Sequence, residues 1–201
     1  MSAPAAPDQS RSVSSSLLDG LRAQEAGAWQ RFVDLYGPII YRWCRRAGLS
    51  AEEAEDLVQD VLVATARSLP GFQRRQPGDS FQGWLYGIAR HKIRDYWRSR
   101  NRVAQAEGGS EAHRRLAQMA EPPELSQAEC RADRIALFGR VCELIQSQFE
   151  PSTWQAFWLL VVDQRSGPEV SRQLGLTLPA VYQAKYRVLQ RVRQEFGDLL
   201  G

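Results

Sequence analysis

The chain has 201 residues, 43% of them hydrophobic and 24% charged, and its net charge is only +3. That length allows one domain or two small ones, and no apolar run approaches the roughly 20 residues needed to cross a bilayer. Three cysteines (Cys44, Cys130, Cys142) without a C-x-x-C pair, and two histidines (His91, His113) without ligand spacing, speak against a disulfide framework or a metal site and for a reducing cytosol.

Residues 1–16, rich in Ala, Pro and Ser and lacking an apolar h-region, read as a disordered arm and not as a signal peptide. Residues 17–44 carry Leu17, Leu18, Leu21, Trp29, Phe32, Val33, Tyr36, Ile39, Ile40 and Trp43 at three- and four-residue spacing, which predicts a helix. Gly27 should loosen it, Gly37-Pro38 should bend or restart it, and Gly48 marks its stop.

Ser50 and Glu53 form the pattern of a capping box, and negative charge in that first turn suits the helix dipole. Five carboxylates (Glu52, Glu53, Glu55, Asp56, Asp60) fall within ten residues with no base among them. Leu57, Val61 and Ala64 share one face for burial. Asp56, Asp60, Val63 and Arg67 share an outward face, with Gln59 beside it. From spacing alone this face is either a solvated surface or a site for a protein partner.

Pro70-Gly71 and Pro77-Gly78 bracket a basic loop with Arg74 and Arg75. Asp79 or Ser80 can cap the next helix, in which five of the seventeen residues 81–97 are aromatic. Leu85, Ala89 and Ile93 make a core stripe, with Trp84 a further core candidate. Tyr86, Arg90, Arg94 and Trp97 fall on another face. Cations alternating with rings suit phosphate neutralisation with base stacking, which is worth about 1–3 kcal/mol per stacked base. The alternative is a solvated basic face with its rings turned inward.

Residues 101–130 hold Gly108-Gly109 and Pro122-Pro123 and little to bury, so they read as a flexible linker with a short helical piece near residues 113–119. Helical periodicity returns from Arg131 through Ile135, Leu137, Phe138, Val141, Leu144, Ile145 and Phe149. Ser152 and Gln155 suggest a capping box for a strongly apolar helix through Trp154, Phe157, Trp158, Leu160, Val161 and Val162.

The most diagnostic pattern follows. Ser166 and Glu169 cap a helix with Pro168 in its first turn, Gly175 supplies a left-handed turn, and Thr177 caps a second helix. Val170, Leu174, Val181 and Ala184 face inward, while the small Ser171 permits a close crossing. This is a helix-turn-helix whose second helix can enter the major groove. Its outward residues are Thr177, Leu178, Pro179, Tyr182, Gln183, Lys185, Tyr186 and Arg187, followed by Arg191 and Arg193. The leading groups can meet base edges and the later arginines can meet phosphates.

In order, spacing and linker, the chain resembles the extracytoplasmic-function (group IV) sigma factors of bacterial RNA polymerase. The resemblance rests on three segments. These are the acidic Ala54-Glu55-Asp56-Leu57-Val58-Gln59-Asp60-Val61 run, Phe81-Gln82-Gly83-Trp84-Leu85 leading to Ile88-Ala89-Arg90 and Asp95, and the terminal helix-turn-helix. It implies an all-α fold of two small helical domains (17–100 and 131–200) joined by a flexible linker (101–130).

The resemblance further implies that Asp56, Gln59, Asp60 and Val63 bind core RNA polymerase. Arg74, Arg75, Trp84, Tyr86, Arg90, Arg94, Trp97 and Arg98 would recognise and open the minus-ten promoter element. The helix-turn-helix residues from Thr177 to Arg191 would read the minus-thirty-five element as duplex. Ser171 stands where alanine is common in the family, and Ala180-Val181-Tyr182 replaces a frequent Thr-Val-Lys, so the promoter bases need not follow a relative's. Many relatives are held by an anti-sigma factor, and nothing in the sequence identifies one.

The expected partners are therefore core polymerase and promoter DNA, with an anti-sigma factor allowed by the resemblance alone, and the chain is expected in the cytoplasm with no cofactor and no membrane insertion. No G-x-S-x-G, P-loop or paired histidine ligands point to an enzyme. The rival reading is a free-standing helix-turn-helix regulator, which would need a dimer interface for which no heptad or spare apolar face is evident.

Overall fold

The computed structural model describes residues 16–74, 76, 79–106 and 124–200. All regular structure among them is helical: α1 (Leu17–Arg22), α2 (Ala26–Arg46), α3 (Ala51–Ser68), α4 (Phe81–Ala106), α5 (Gln127–Ile145), α6 (Pro151–Val161), α7 (Gly167–Leu174) and α8 (Leu178–Leu200). Short 3-10 turns follow α3 and α5. The all-α expectation holds.

Short polar side chains start most of these helices, each taking an amide that the helix leaves unpaired. Ser50 accepts from the Glu53 amide at 3.2 Å, and the Glu53 carboxylate accepts from the Ser50 amide at 2.7 Å. The same reciprocal pair joins Ser126 to Glu129 and Ser166 to Glu169. Ser80 accepts from the Gly83 amide at 3.0 Å and opens α4. Asp79 instead accepts from the Gln76 amide, holding the preceding turn.

Several boundaries differ from the sequence reading. Residues 17–44 form two helices, and the break lies at residues 23–25, where Gln24 takes a positive φ of 57°. Gly37-Pro38 does not interrupt α2. Pro38 has no N–H to offer the carbonyl of Asp34 four residues earlier, and Arg140 of α5 donates to that carbonyl at 3.4 Å. A tertiary contact thus fills the gap that proline leaves.

The Ser152–Gln155 box is not formed. Glu150 is the extended residue before α6 and Pro151 takes the first helical position, where its missing N–H costs nothing. Helix α4 runs on to Ala106 and α5 begins at Gln127, so both extend into the stretch read as linker. The helical piece expected near residues 113–119 lies outside the described residues. Ile135, expected in the core, is 64% exposed, because Leu137, Val141 and Ile145 take the inward stripe of α5.

The first core is aromatic. Phe81, at the start of α4, meets Phe32, Tyr36 and Phe72 edge-on, with ring centroids 5.3–5.9 Å apart. Such pairs add about 0.5–1.5 kcal/mol each beyond the area they bury. Leu85, Ala89 and Ile93 carry the same core along α4, as their four-residue spacing requires. The helix-turn-helix has a core of its own in Ala156, Leu159, Val170, Val181 and Ala184, with Leu174 and Leu176 packed against it.

Helix α8 belongs to both cores. Its first turns carry Val181 and Ala184, while Val188, Val192, Phe196 and Leu199 join the aromatic core shared with α1, α2 and α4. The two halves of the chain therefore pack on each other through α8 and α5. Polar contacts fix the register: the Tyr36 hydroxyl donates to the Leu199 carbonyl at 3.3 Å, and Arg31 lies 4.0 Å from the buried Glu195.

Candidate nucleic-acid interface

Helix α3 turns Leu57 and Val61 into the core and leaves Asp56, Gln59, Asp60 and Val63 on the surface, Val63 at 49% exposure. Asp56 and Asp60 have no ion pair or hydrogen bond from any described side chain. Two unpaired carboxylates one helical turn apart repel each other mildly, so α3 gains nothing from them internally. An apolar groove lined by Val33, Pro38, Tyr41, Val58 and Leu62 runs beside them between α2 and α3.

Glu53 behaves differently from its acidic neighbours. The Tyr96 hydroxyl and the Ser50 amide hold its carboxyl below the ordinary glutamate value. Arg100 reaches across from α4 to pair with it, and the same guanidinium bonds Tyr96 at 2.8 Å and lies 5.8 Å over that ring. Glu53 therefore clamps α3 to α4.

Helix α4 presents Tyr86, Arg90, Arg94 and Arg98 at four-residue steps along one side. Arg98 is exposed, Arg94 meets His91 at 2.6 Å, and Arg90 faces Glu124 at 3.8 Å. Trp84, two residues before Tyr86 and so on the opposite side of α4, is half-buried and packs at a tilt on Phe72 and Phe81. Arg74 in the preceding loop is exposed and bonds the Asp198 carbonyl; Arg75 lies outside the described residues.

Trp97 requires a correction. It does not share the outward face but is 3% exposed, edge-on to Tyr96, with its indole N–H unpaired. It sits four residues past Ile93, so the core stripe Leu85–Ala89–Ile93 continues through it. The three-residue step from Arg94 that suggested an outward ring is equally a four-residue step from Ile93, and burial decides between them.

The helix-turn-helix forms as its caps require. Gly175 adopts φ 65°, its amide bonds the Ser171 carbonyl, and Thr177 caps α8 through the Ala180 amide at 3.4 Å. Ser171 does more than permit close packing. Its hydroxyl donates to the Leu176 carbonyl at 2.6 Å and ties the turn to α7, a bond that alanine could not make.

The cap Thr177 and, on α8, Leu178, Pro179, Tyr182, Gln183, Lys185, Tyr186 and Arg187 are all exposed. Tyr182 lies against Gly167 at the start of α7, so closely that a Cβ there would sit 2.6 Å from its hydroxyl. Arg191 is only half-exposed. It donates to Gln148 at 2.8 Å and pairs with the buried Glu195, bracing α8 within the protein.

Sequence reasoning gave no role to Asp133, which is 1% exposed. Trp43 Nε1 donates to it at 2.7 Å, Arg42 pairs with it at 2.7 Å, and Gln82 approaches at 3.5 Å. A signal was present: Asp133, Leu137, Val141 and Ile145 form one four-residue stripe, and a carboxylate on a core stripe needs partners. No group of three or more His, Cys, Asp or Glu among the described residues could hold a metal.

The chain is similar to known proteins over most of its length. Residues 32–103 match the model for Sigma-70 region 2. The ECF RNA polymerase sigma factor SigD of Mycobacterium tuberculosis is 31% identical over 182 residues, covering 86% of this chain and 79% of its own. The chain belongs to the ECF sigma factors.

The RNA polymerase sigma factor CnrH of Cupriavidus metallidurans is 30% identical over 167 residues, covering 80% of this chain and 84% of its own. Among solved structures, CnrH in complex with the cytosolic domain of CnrY covers 88% of this chain and 92% of its own, at 21% identity and a TM-score of 0.35. Within the sigma family, matched residues 32–103 include the acidic face of α3, the basic face of α4 and the loop between them. No helix of the described residues is long and apolar enough to cross a membrane.

Proposed function

We propose that this ECF sigma factor is an alternative sigma factor that docks on core RNA polymerase through Asp56, Gln59, Asp60 and Val63 of α3. It reads and opens the minus-ten element through Arg74, Arg75, Trp84, Tyr86, Arg90, Arg94 and Arg98. It reads the minus-thirty-five element through the exposed start of α8. Residues 17–100 and 131–200 act as the two promoter-binding units, and the protein works in the cytoplasm without bond chemistry of its own. The family also implies an anti-sigma partner, and the described residues select none.

The observation that carries this reading is the partition of charge by partner. The outward acids of α3 lack internal partners, whereas α4 beside them presents a line of cations and a ring. DNA phosphates would be repelled by the first face and attracted to the second, so two different macromolecules are engaged side by side. Opening the duplex costs unstacking free energy, and stacking with phosphate contacts on the separated strand offsets it.

Electrophoretic mobility of labelled promoter duplex, with and without core polymerase, tests the assignment. A sigma factor should shift the duplex stably only when polymerase is present. Stable binding by the purified chain alone, as a dimer, would favour the free-standing regulator.

A further inference from the structure

We propose that Gly167 is a specificity-positioning residue: the side chain it lacks leaves a seat from which Tyr182 meets the minus-thirty-five element with the flank of its ring, as a reader of a thymine methyl group. This rests on the assignment of the start of α8 to that element made above.

Glycine is among the poorest helix formers, yet it stands at the first position of α7. No left-handed backbone requires it, since among the described residues only Gly48 and Gly175 are glycines with positive φ. The reason is close approach. Gly167 is buried, and a Cβ on it would lie 2.6 Å from the Tyr182 hydroxyl oxygen, 2.9 Å from Cζ of the same ring and 3.0 Å from a Leu178 methyl. All three atoms are far ends of side chains from the start of α8. A larger residue at 167 would evict them.

The floor of the seat is fixed at both ends. Ser166 and Glu169 cap α7 reciprocally, the Glu169 carboxylate accepting from the Ser166 amide at 3.0 Å. At the turn, the Ser171 hydroxyl donates to the Leu176 carbonyl at 2.6 Å. These bonds hold α7 against α8, and the phenol of Tyr182 lies across the gap between them.

With its hydroxyl turned to α7, Tyr182 still leaves 50% of its surface exposed, and Leu178, one turn earlier, leaves 38%. What this strip shows to a groove is carbon. A ring flank and methyl groups offer no donor or acceptor, and in the major groove the base feature such a surface recognises is the thymine methyl. Gln183 and Lys185, both exposed, supply the hydrogen bonds that the strip cannot.

The test uses holoenzyme assembled from the full chain and core polymerase, and duplexes selected from a pool randomised across the upstream element. Each thymine of the selected duplex is then replaced in turn by deoxyuridine, which removes only the methyl group. With the parent, one replacement should weaken binding about fourfold, the worth of one buried methyl group. Tyr182→Ala should abolish that loss, and Tyr182→Phe, which keeps the ring, should retain it. Gly167→Ala should abolish it too, with helix content by circular dichroism unchanged, because alanine favours the helix and only the seat is lost. Added to Tyr182→Ala, it should change affinity no further, since Gly167 acts through the ring.

A folded Gly167→Ala protein that keeps the fourfold discrimination would overturn the proposal. So would a Gly167→Ala effect of the same size with and without the tyrosine. A parent that selects an upstream sequence without a methyl-sensitive thymine overturns it alone. A parent that selects no upstream sequence overturns the functional reading and the proposal together.

Discussion

Replacing Asp56 and Asp60 together with lysine separates fold from function most cleanly. Both side chains are exposed and neither has a partner among the described residues. Folding should therefore change by no more than about 0.5 kcal/mol, as for other surface sites without special contacts. Lysine at both positions keeps the spacing of one helical turn, so one like-charge pair replaces another. Binding is a different matter. Each reversal turns an attraction for a basic partner surface into a repulsion, and at about 1 kcal/mol per charge pair in water the swing is about 2 kcal/mol each. Two such swings weaken the complex by up to about 4 kcal/mol, or roughly 700-fold. Titration of core polymerase with labelled protein measures this directly, with urea unfolding of the same variant as the control. Full affinity in a folded double variant would refute the assignment of α3. Lost affinity with an unfolded variant would refute the claim that these acids are structurally idle.

Arg187→Ala should weaken holoenzyme binding to the upstream element and lower the slope of log affinity against log salt by about 1; an unchanged slope removes Arg187 from the phosphate contacts. Gly175→Ala should cost about 1–2 kcal/mol in urea unfolding, since an L side chain at φ 65° is strained even though its surroundings are open. A neutral result would mean that the turn relaxes at no cost. Glu53→Gln tests the clamp between α3 and α4 through pH. Because the folded-state value of Glu53 is lowered, its stabilisation is fully present above the unfolded-state glutamate value and is lost as the pH falls through the folded one. Parent and variant should thus differ most in urea midpoint near neutrality and converge in acid; a difference independent of pH would contradict that.

The parts of the fold that were legible in the sequence are those set by local chemistry. Ser50 with Glu53 and Ser166 with Glu169 announce helix starts because a short acceptor and a reaching carboxylate satisfy two amides at once. Gly175 announces its turn because a left-handed residue is needed there, and Leu85, Ala89 and Ile93 announce a buried face by repeating at helical spacing. What was not legible depends on residues far away in the chain. Pro38 sits inside a helix because Arg140 covers the carbonyl it frees, more than a hundred residues on. Trp97 lies within reach of either face, and only packing chooses. The joining of the two halves was invisible in periodicity, although Asp133 and Glu195, two acids on apolar stripes, carried a trace of it.

The candidate site divides in the same way. Exposure of Asp56, Asp60, Lys185 and Arg187 follows from their helix faces, so those residues stand where spacing put them. Arg191 and Arg74 are cations that the protein itself engages, through Gln148 and Glu195 for one and the Asp198 carbonyl for the other. Sequence registers their charge but not their occupation.

Run-off transcription tests the central claim most directly. Core polymerase freed of its sigma subunits is given this protein and fragmented genomic DNA from the source organism, and the starts are mapped. The account predicts discrete starts that require the protein, each preceded by two common sequence elements about two helical turns apart, and lost with Asp56→Lys and Asp60→Lys. Absence of any protein-dependent start, with a folded protein that does not bind core polymerase, would contradict it.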